Sequence, residues 1–256
     1  MPDRPAAQRE NQSVRKAIGL LRAATETPGE TVSQLARSTG LPRATALRMI
    51  EAMVEEGFLR RLAGRGGIVP GPDLLSLART AVPAAVSEAA RVPMQELAAR
   101  LRESITLAIN HADGSVEIVR QADGPLMIGL ANWVGRPFAL HASASGKIAL
   151  AYGDERRLED RLRRPLERCA TRTICDAITL RVELERVRER GHAEIVDELE
   201  DGLAAISVPL RIGSEVVASV SVSGPSARFG ARERQAALPR LRQAAATIEA
   251  ALARRG

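Results

Sequence analysis

The stretch from Thr31 to Leu59, TVSQLARSTGLPRATALRMIEAMVEEGFL, constrains the fold most, because it stops one short helix at a glycine and starts another two residues later. Thr31 and Gln34 fit a capping box, in which the Thr hydroxyl accepts from the third helical amide and the Gln side chain returns to the Thr amide. Val32, Leu35 and Ala36 recur at i, i+3 and i+4, so this first segment buries one face. Gly40 is then the residue able to take positive φ past a helix end, and Pro42 suits the first turn of the next helix, where an amide hydrogen would be unpaired anyway. In that next helix Ala46, Ile50 and Met53 share one face, leaving Ala44, Arg48, Glu51 and Glu55 on the opposite one.

Two helices joined by so tight a turn, with an amphipathic helix before them from about Ser13 to Thr27, make a helix-turn-helix. The outward face of the second helix is neutral to basic only in its first half. Arg43, Ala44, Thr45 and Arg48 therefore form the part that can approach a phosphate-lined groove, while the acidic second half stays outside it. After Gly57, the runs FLRRL and IVPG flank a glycine-rich tip, AGRGG, and read as a two-stranded wing. Arg60, Arg61 and Arg65 on that wing would position the protein against phosphates or a minor groove of double-stranded DNA.

Charge distribution agrees with this. Of the net +6, residues 1–70 hold 11 basic and 7 acidic side chains, whereas residues 71–256 hold 26 and 24. The excess positive charge sits in the first quarter of the chain, where a phosphate-binding surface uses it.

With 256 residues and 45% hydrophobic content, the chain is long enough for one large or two ordinary domains. No apolar run approaches the roughly 20 residues of a membrane span, and the first residues lack an apolar export segment, so a soluble, cytoplasmic protein with no membrane contact is expected. Cys169 and Cys175 match neither a zinc knuckle nor a C-x-x-C redox pair, so no metal and no cofactor is expected.

The helical run DLLSLARTA up to Pro83 divides the chain into residues 1–71, a linker helix over 72–82, and a second domain over 83–256. The second domain opens with a helical segment, AVSEAARVPMQELAARLRES, followed by two alternating strands in ITLAINHADGSVEIVRQ, which is an α+β beginning. LHASASGKIALA starts a helix near Ser143 or Ser145; it is not a P-loop, which needs a glycine at His141 and a hydroxyl residue at Ile148. A helix N-terminus with free amides and hydroxyls is a site for a carboxylate, or the serines are only caps. TLRVELERVRER is a charged helix closed by Gly191, followed by an acidic loop and two strands in which Ser219, Ser221 and Ser223 share a face. The last segment is an amphipathic helix expected to break near Pro239.

The segments SVRKAIGLLRA, TVSQLARSTGLPRATALRMIEAMVEEGFL and VPGPDLLSLA resemble the N-terminal winged helix of IclR-type bacterial transcription regulators. LHASASGKIALA, TLRVELERVRERGHAEIVDELEDGLAAISVP and VSVSGP resemble the GAF-like effector-binding domain of the same family, in the same order. The resemblance implies an α+β fold with a winged helix-turn-helix joined by a linker helix to that domain. It also implies contacts to a small organic-acid or aromatic-acid effector at His141, Ala144, Ser145, Asp197, Ala205, Ser221 and Ser223, and dimers that pair into tetramers. The chain departs from the family's pattern at Ala44, Leu47, Ile68, Val69 and Ala205.

Two functions follow from these features. The first is a DNA-binding regulator, working as a homodimer because one winged helix meets only one half-site, and sensing a small acid. Aromatic content of 2% disfavours a stacked aromatic cage and favours a small polar acid. The second is an enzyme with His141 or His192 as base, Asp197 as its partner and Lys147 as an electrostatic stabiliser, although no nucleophile or metal motif accompanies them.

Overall fold

The computed structural model of the protein describes residues 6–64, 66–126 and 131–254. It divides into two compact units, residues 1–81 and 82–256. Arg65, the wing residue named above, lies outside the described residues.

Unit 1 begins with α1 (Ala6–Glu26), α2 (Val32–Ser38) and α3 (Arg43–Glu55), followed by an antiparallel pair, β1 (Leu59–Arg61) and β2 (Ile68–Pro70). The capping box forms: the Gln34 amide donates to Thr31 Oγ1 at 3.4 Å and the Thr31 amide donates to Gln34 Oε1 at 2.8 Å. Gly40 has φ 67°, the left-handed conformation that only glycine adopts without strain. Pro42 stands one residue earlier than expected, as the N-cap of α3, with φ −56° and ψ 136°. Leu20, Ala24, Leu35, Ala46, Ile50 and Ile68 close a core of their own, one face of each helix supplying it.

Helix α4 (Pro72–Leu101) is a single element with Pro83 and Pro93 inside it. The sequence reading ends a linker helix at residue 82; instead the helix continues. A proline forfeits one hydrogen bond, but beyond it Val86, Ala90, Met94, Leu97 and Ala98 bury one face in the core, and that burial outweighs the break.

The rest of unit 2 is built on a five-stranded antiparallel sheet in the order β4-β3-β7-β6-β5. Its strands are β3 (Ser104–Asn110), β4 (Val116–Ala122), β5 (Ala193–Val196), β6 (Leu203–Ile212) and β7 (Glu215–Pro225). The sequence reading has two strands after Gly191, where the structure has three. Between β4 and β5 lie α5 (Ala144–Tyr152), α6 (Glu155–Leu162) and α7 (Ala177–Arg190), and the chain closes with α8 (Ala231–Ala253). Helix α8 does not break at Pro239. That residue is exposed while Leu238, Leu241, Ala245 and Ile248 are buried, so the missing hydrogen bond falls on the solvent side.

Strand alternation sorts the sheet into two chemically different faces. Ile105, Leu107, Ile109, Ile206, Val208, Val220 and Val222 pack with residues of α4 and α8 in the main core. The residues between them, Ser104, Thr106, Ala205, Ser207, Ser221 and Ser223, belong to the opposite face, against which α5 packs at β6 and β7. This second face carries the cavity described next.

Candidate functional sites

In unit 1 the exposed part of α3 begins directly after the turn. Arg43, Ala44 and Arg48 are exposed and Thr45 is half-buried. Arg43 Nε donates to Ser33 Oγ on α2 at 3.0 Å, which holds this side chain across the α2–α3 turn. Arg60 and Arg61 are exposed on β1, and Arg61 stands 3.8 Å from Glu51 of α3. An exposed ion pair of that length contributes little to stability, so it does not fix the Arg61 side chain in place.

In unit 2 a cavity with about 490 Å³ of empty space, part of it open to solvent, lies between the hydroxyl-bearing sheet face and the start of α5. Its floor is set by register. Thr106 pairs with Ser221, Ser104 with Ser223, and Ala205 with Ser223 across three neighbouring strands. Its end wall is the first turn of α5. There Ser143 is the N-cap, its Oγ accepting from the Gly146 amide at 3.1 Å, and helix geometry leaves the preceding amides without an internal acceptor. A glycine is required at position 146 because a Cβ there would overlap the Leu140 carbonyl oxygen.

Of the effector contacts expected from sequence, Ala144, Ser145, Ala205, Ser221 and Ser223 border this cavity; His141 and Asp197 do not. His141 is fully buried, its Nε2 donating to the Glu167 carbonyl at 2.9 Å, and burial holds its pKa below the usual histidine value. Asp197 has φ 56° and shapes the β5–β6 turn: its Oδ1 accepts from the Gly202 amide at 2.8 Å and from Ser226 Oγ at 3.2 Å.

The remaining residues of the enzymatic reading are also engaged elsewhere. Lys147 is 1% exposed, with Nζ 2.8 Å and 2.7 Å from the two Glu198 carboxylate oxygens. Burial pushes the Glu198 carboxyl up, and the Lys147 ammonium opposes that shift. His192 Nε2 lies 3.3 Å from Glu194 Oε1, and Arg234 Nε donates to Glu194 Oε2 at 2.9 Å. The Glu194 carboxyl is lowered to about 2, first by the His192 hydrogen bond and then by Arg234, against the effect of burial. None of His141, Lys147, His192 and Asp197 lines the cavity. Among the described residues no group of three or more His, Cys, Asp or Glu is placed to hold a metal ion.

Sequence reasoning missed Ser104, Thr106, Gln121, Trp133 and Phe138, all of which border the cavity. Alternation in β3 gave a signal for the first two. Nothing local marks the aromatic pair: Trp133 and Phe138 are two of five aromatic residues in the chain, so low overall content conceals their concentration at one place.

No helix among the described residues is long and apolar enough to cross a membrane. Residues 13–63 match the IclR helix-turn-helix domain, and residues 79–250 match the C-terminal domain of the bacterial transcriptional regulator IclR. The HTH-type transcriptional regulator Rv1719 of Mycobacterium tuberculosis is 31% identical over 227 residues, covering 88% of this chain and 87% of its own. KdgR of Escherichia coli K12, another HTH-type transcriptional regulator, is 29% identical over 246 residues, covering 93% and 91%. Among solved structures, an IclR-family regulator from Rhodococcus sp. superposes with a TM-score of 0.73 at 27% identity, covering 98% of this chain and 97% of that one. An IclR homologue from Microbacterium hydrocarbonoxydans, solved in complex with 4-hydroxybenzoate, gives a TM-score of 0.60 at 26% identity, covering 94% and 98%. With family models matched in both units and a relative above 30% identity along most of its length, the chain belongs to the IclR family of bacterial transcriptional regulators.

Proposed function

We propose that this chain represses or activates transcription by binding operator DNA through unit 1, with an affinity set by a small organic acid held in the cavity of unit 2. The observation that supports it best is the composition of that cavity: a helix N-terminus and a row of hydroxyls, formed by residues far apart in sequence and held together by strand register. Leading helix amides and hydroxyl donors suit a carboxylate, since the partial positive charge of the helix end and its unpaired N–H groups both favour an anion. The bound 4-hydroxybenzoate of the Microbacterium homologue is an organic acid and supports the same ligand class.

On the DNA side, Arg43, Ala44, Thr45 and Arg48 enter the phosphate-lined major groove, where the two arginines pair with its phosphates, and Arg60, Arg61 and Arg65 meet phosphates beside it. Domain limits at 1–71, 72–82 and 83–256 are proposed on the same footing, as is a homodimer that places two α3 helices on the half-sites of a pseudo-palindrome, with further pairing into a tetramer. Ligand occupancy shifts the population between states of different operator affinity, and this requires that the acid bind those states unequally.

Calorimetric titration of the acid into the protein, with and without a duplex from upstream of its own gene, tests the coupling. Unequal affinities are expected; equal ones remove it. A sensor also returns its ligand unchanged, so chemical conversion of the acid by the purified chain would favour the enzymatic reading instead.

A further inference from the structure

Arg43 is the first residue of α3 and Ser33 the second of α2, and both are exposed. The 3.0 Å bond from Arg43 Nε to Ser33 Oγ is the only side-chain hydrogen bond of Arg43 among the described residues. The frame behind this bond is rigid. Helix α2 buries Val32, Leu35 and Ala36, the capping bonds between Thr31 and Gln34 bracket Ser33, and the Leu41 amide donates to the Ala36 carbonyl at 2.8 Å across the turn. A long side chain on one helix is thus fastened to a second helix whose backbone is itself held.

The chemistry of the bond decides what it leaves open. By engaging Nε it spares both Nη groups, the forked end of the guanidinium that pairs with a phosphate. By using a hydroxyl rather than a carboxylate it leaves the positive charge whole, whereas Arg61 stands 3.8 Å from Glu51. Helix stability does not account for the arrangement. A cation on the first residue meets the positive end of the helix dipole, and α3 has no acidic residue in its first turn to offset it. An arginine ordered where its charge is locally unfavourable suits a partner that brings negative charge.

We propose that Ser33 is a positioning residue for operator binding: it acts on Arg43 rather than on DNA, ordering the guanidinium before a phosphate arrives. This rests on the reading of unit 1 as DNA-binding through the start of α3. An untethered arginine loses rotamer freedom when it docks, a penalty of roughly two- to tenfold in affinity for one such side chain. The Ser33 hydroxyl removes that penalty in advance, in the free protein.

The test titrates the full chain on a duplex from upstream of its own gene at several salt concentrations. Its variants are Ser33→Ala, Ser33→Thr, Arg43→Ala and the Ser33→Ala, Arg43→Ala pair, each matched to the parent in circular dichroism and oligomeric state. Ser33→Ala is expected to weaken binding roughly two- to tenfold with the salt slope unchanged, because the phosphate contact survives and only its ordering is lost. Ser33→Thr keeps the hydroxyl and should bind as the parent does. In the Arg43→Ala background, Ser33→Ala should have no further effect; a structural role for Ser33, or its own contact with a phosphate, would not produce that coupling. Parental affinity in Ser33→Ala, or the same loss with and without Arg43, overturns the proposal. Should Arg43→Ala itself bind with parental affinity and slope, the reading of α3 falls and the proposal with it. A loss there with none in Ser33→Ala sinks the proposal alone.

Discussion

Lys147 Nζ lies within 2.8 Å of both carboxylate oxygens of Glu198, joining α5, whose first turn walls the cavity, to the β5–β6 loop that carries Leu199. Both residues are buried, at 1% and 9% exposure, so neither charge has water as an alternative partner. Lys147→Met strands the Glu198 carboxylate and should lower stability by about 3–5 kcal/mol. The double variant with Glu198→Met should recover most of that loss. Urea unfolding followed by circular dichroism checks both, and a single variant as stable as the parent would show that the pair is not held as described.

Glu194 links stability to acid pH. Its carboxyl is lowered from 4.5 to about 2 in the folded chain, so the associated stability is fully present above pH 4.5 and is lost as pH falls toward 2. A shift of that size corresponds to about 3 kcal/mol as an order of magnitude. Glu194→Gln should flatten this limb of the stability profile between pH 5 and 2, measured by denaturation at a series of pH values; an unchanged limb would assign the acid sensitivity elsewhere.

At Gly146 the Leu140–Ala142 turn lies so near α5 that a Cβ would overlap the Leu140 carbonyl oxygen. Gly146→Ala forces that turn away from the helix and should destabilise unit 2 by about 1–3 kcal/mol, the usual range for overpacking. The same displacement disturbs the Ser143 cap, so acid binding should weaken as well. Parental melting and parental acid affinity in this variant would contradict the packing described.

Thr31→Ala removes the capping-box hydroxyl at the start of α2 and should cost about 1 kcal/mol of the stability of unit 1. Thermal unfolding of the variant beside the parent measures it.

The features legible in sequence are those decided by neighbours along the chain. The Thr31–Gln34 cap, the left-handed Gly40 and the Ser143 cap each depend on residues within three or four positions, and the structure holds them all. Pro83 and Pro239 read as breaks because their local effect is unfavourable, yet Val86, Met94, Leu241 and Ile248 bury enough surface to carry both helices through. Strand β5 has only four residues, too few for alternation to separate it from the loop that follows. The cavity was half legible. Ser145, Ser221 and Ser223 stand on a helix start and a strand whose faces follow from periodicity, whereas Thr106 reaches the same place only through pairing with Ser221 across more than a hundred residues. Asp197 turns away from it because a φ of 56° directs its side chain into the β5–β6 turn, which no sequence pattern announces.

The start of α3 is the proposed seat of DNA affinity, and the direct measurement is a salt-dependent binding titration of the full chain on a duplex from upstream of its own gene. Against the parent, the Arg43→Ala, Arg48→Ala double variant should bind more weakly, and the slope of log K against log salt concentration should shrink by about 2, one unit for each lost phosphate contact. Unchanged affinity and slope, in a variant with the parent's circular dichroism and oligomeric state, would contradict the account.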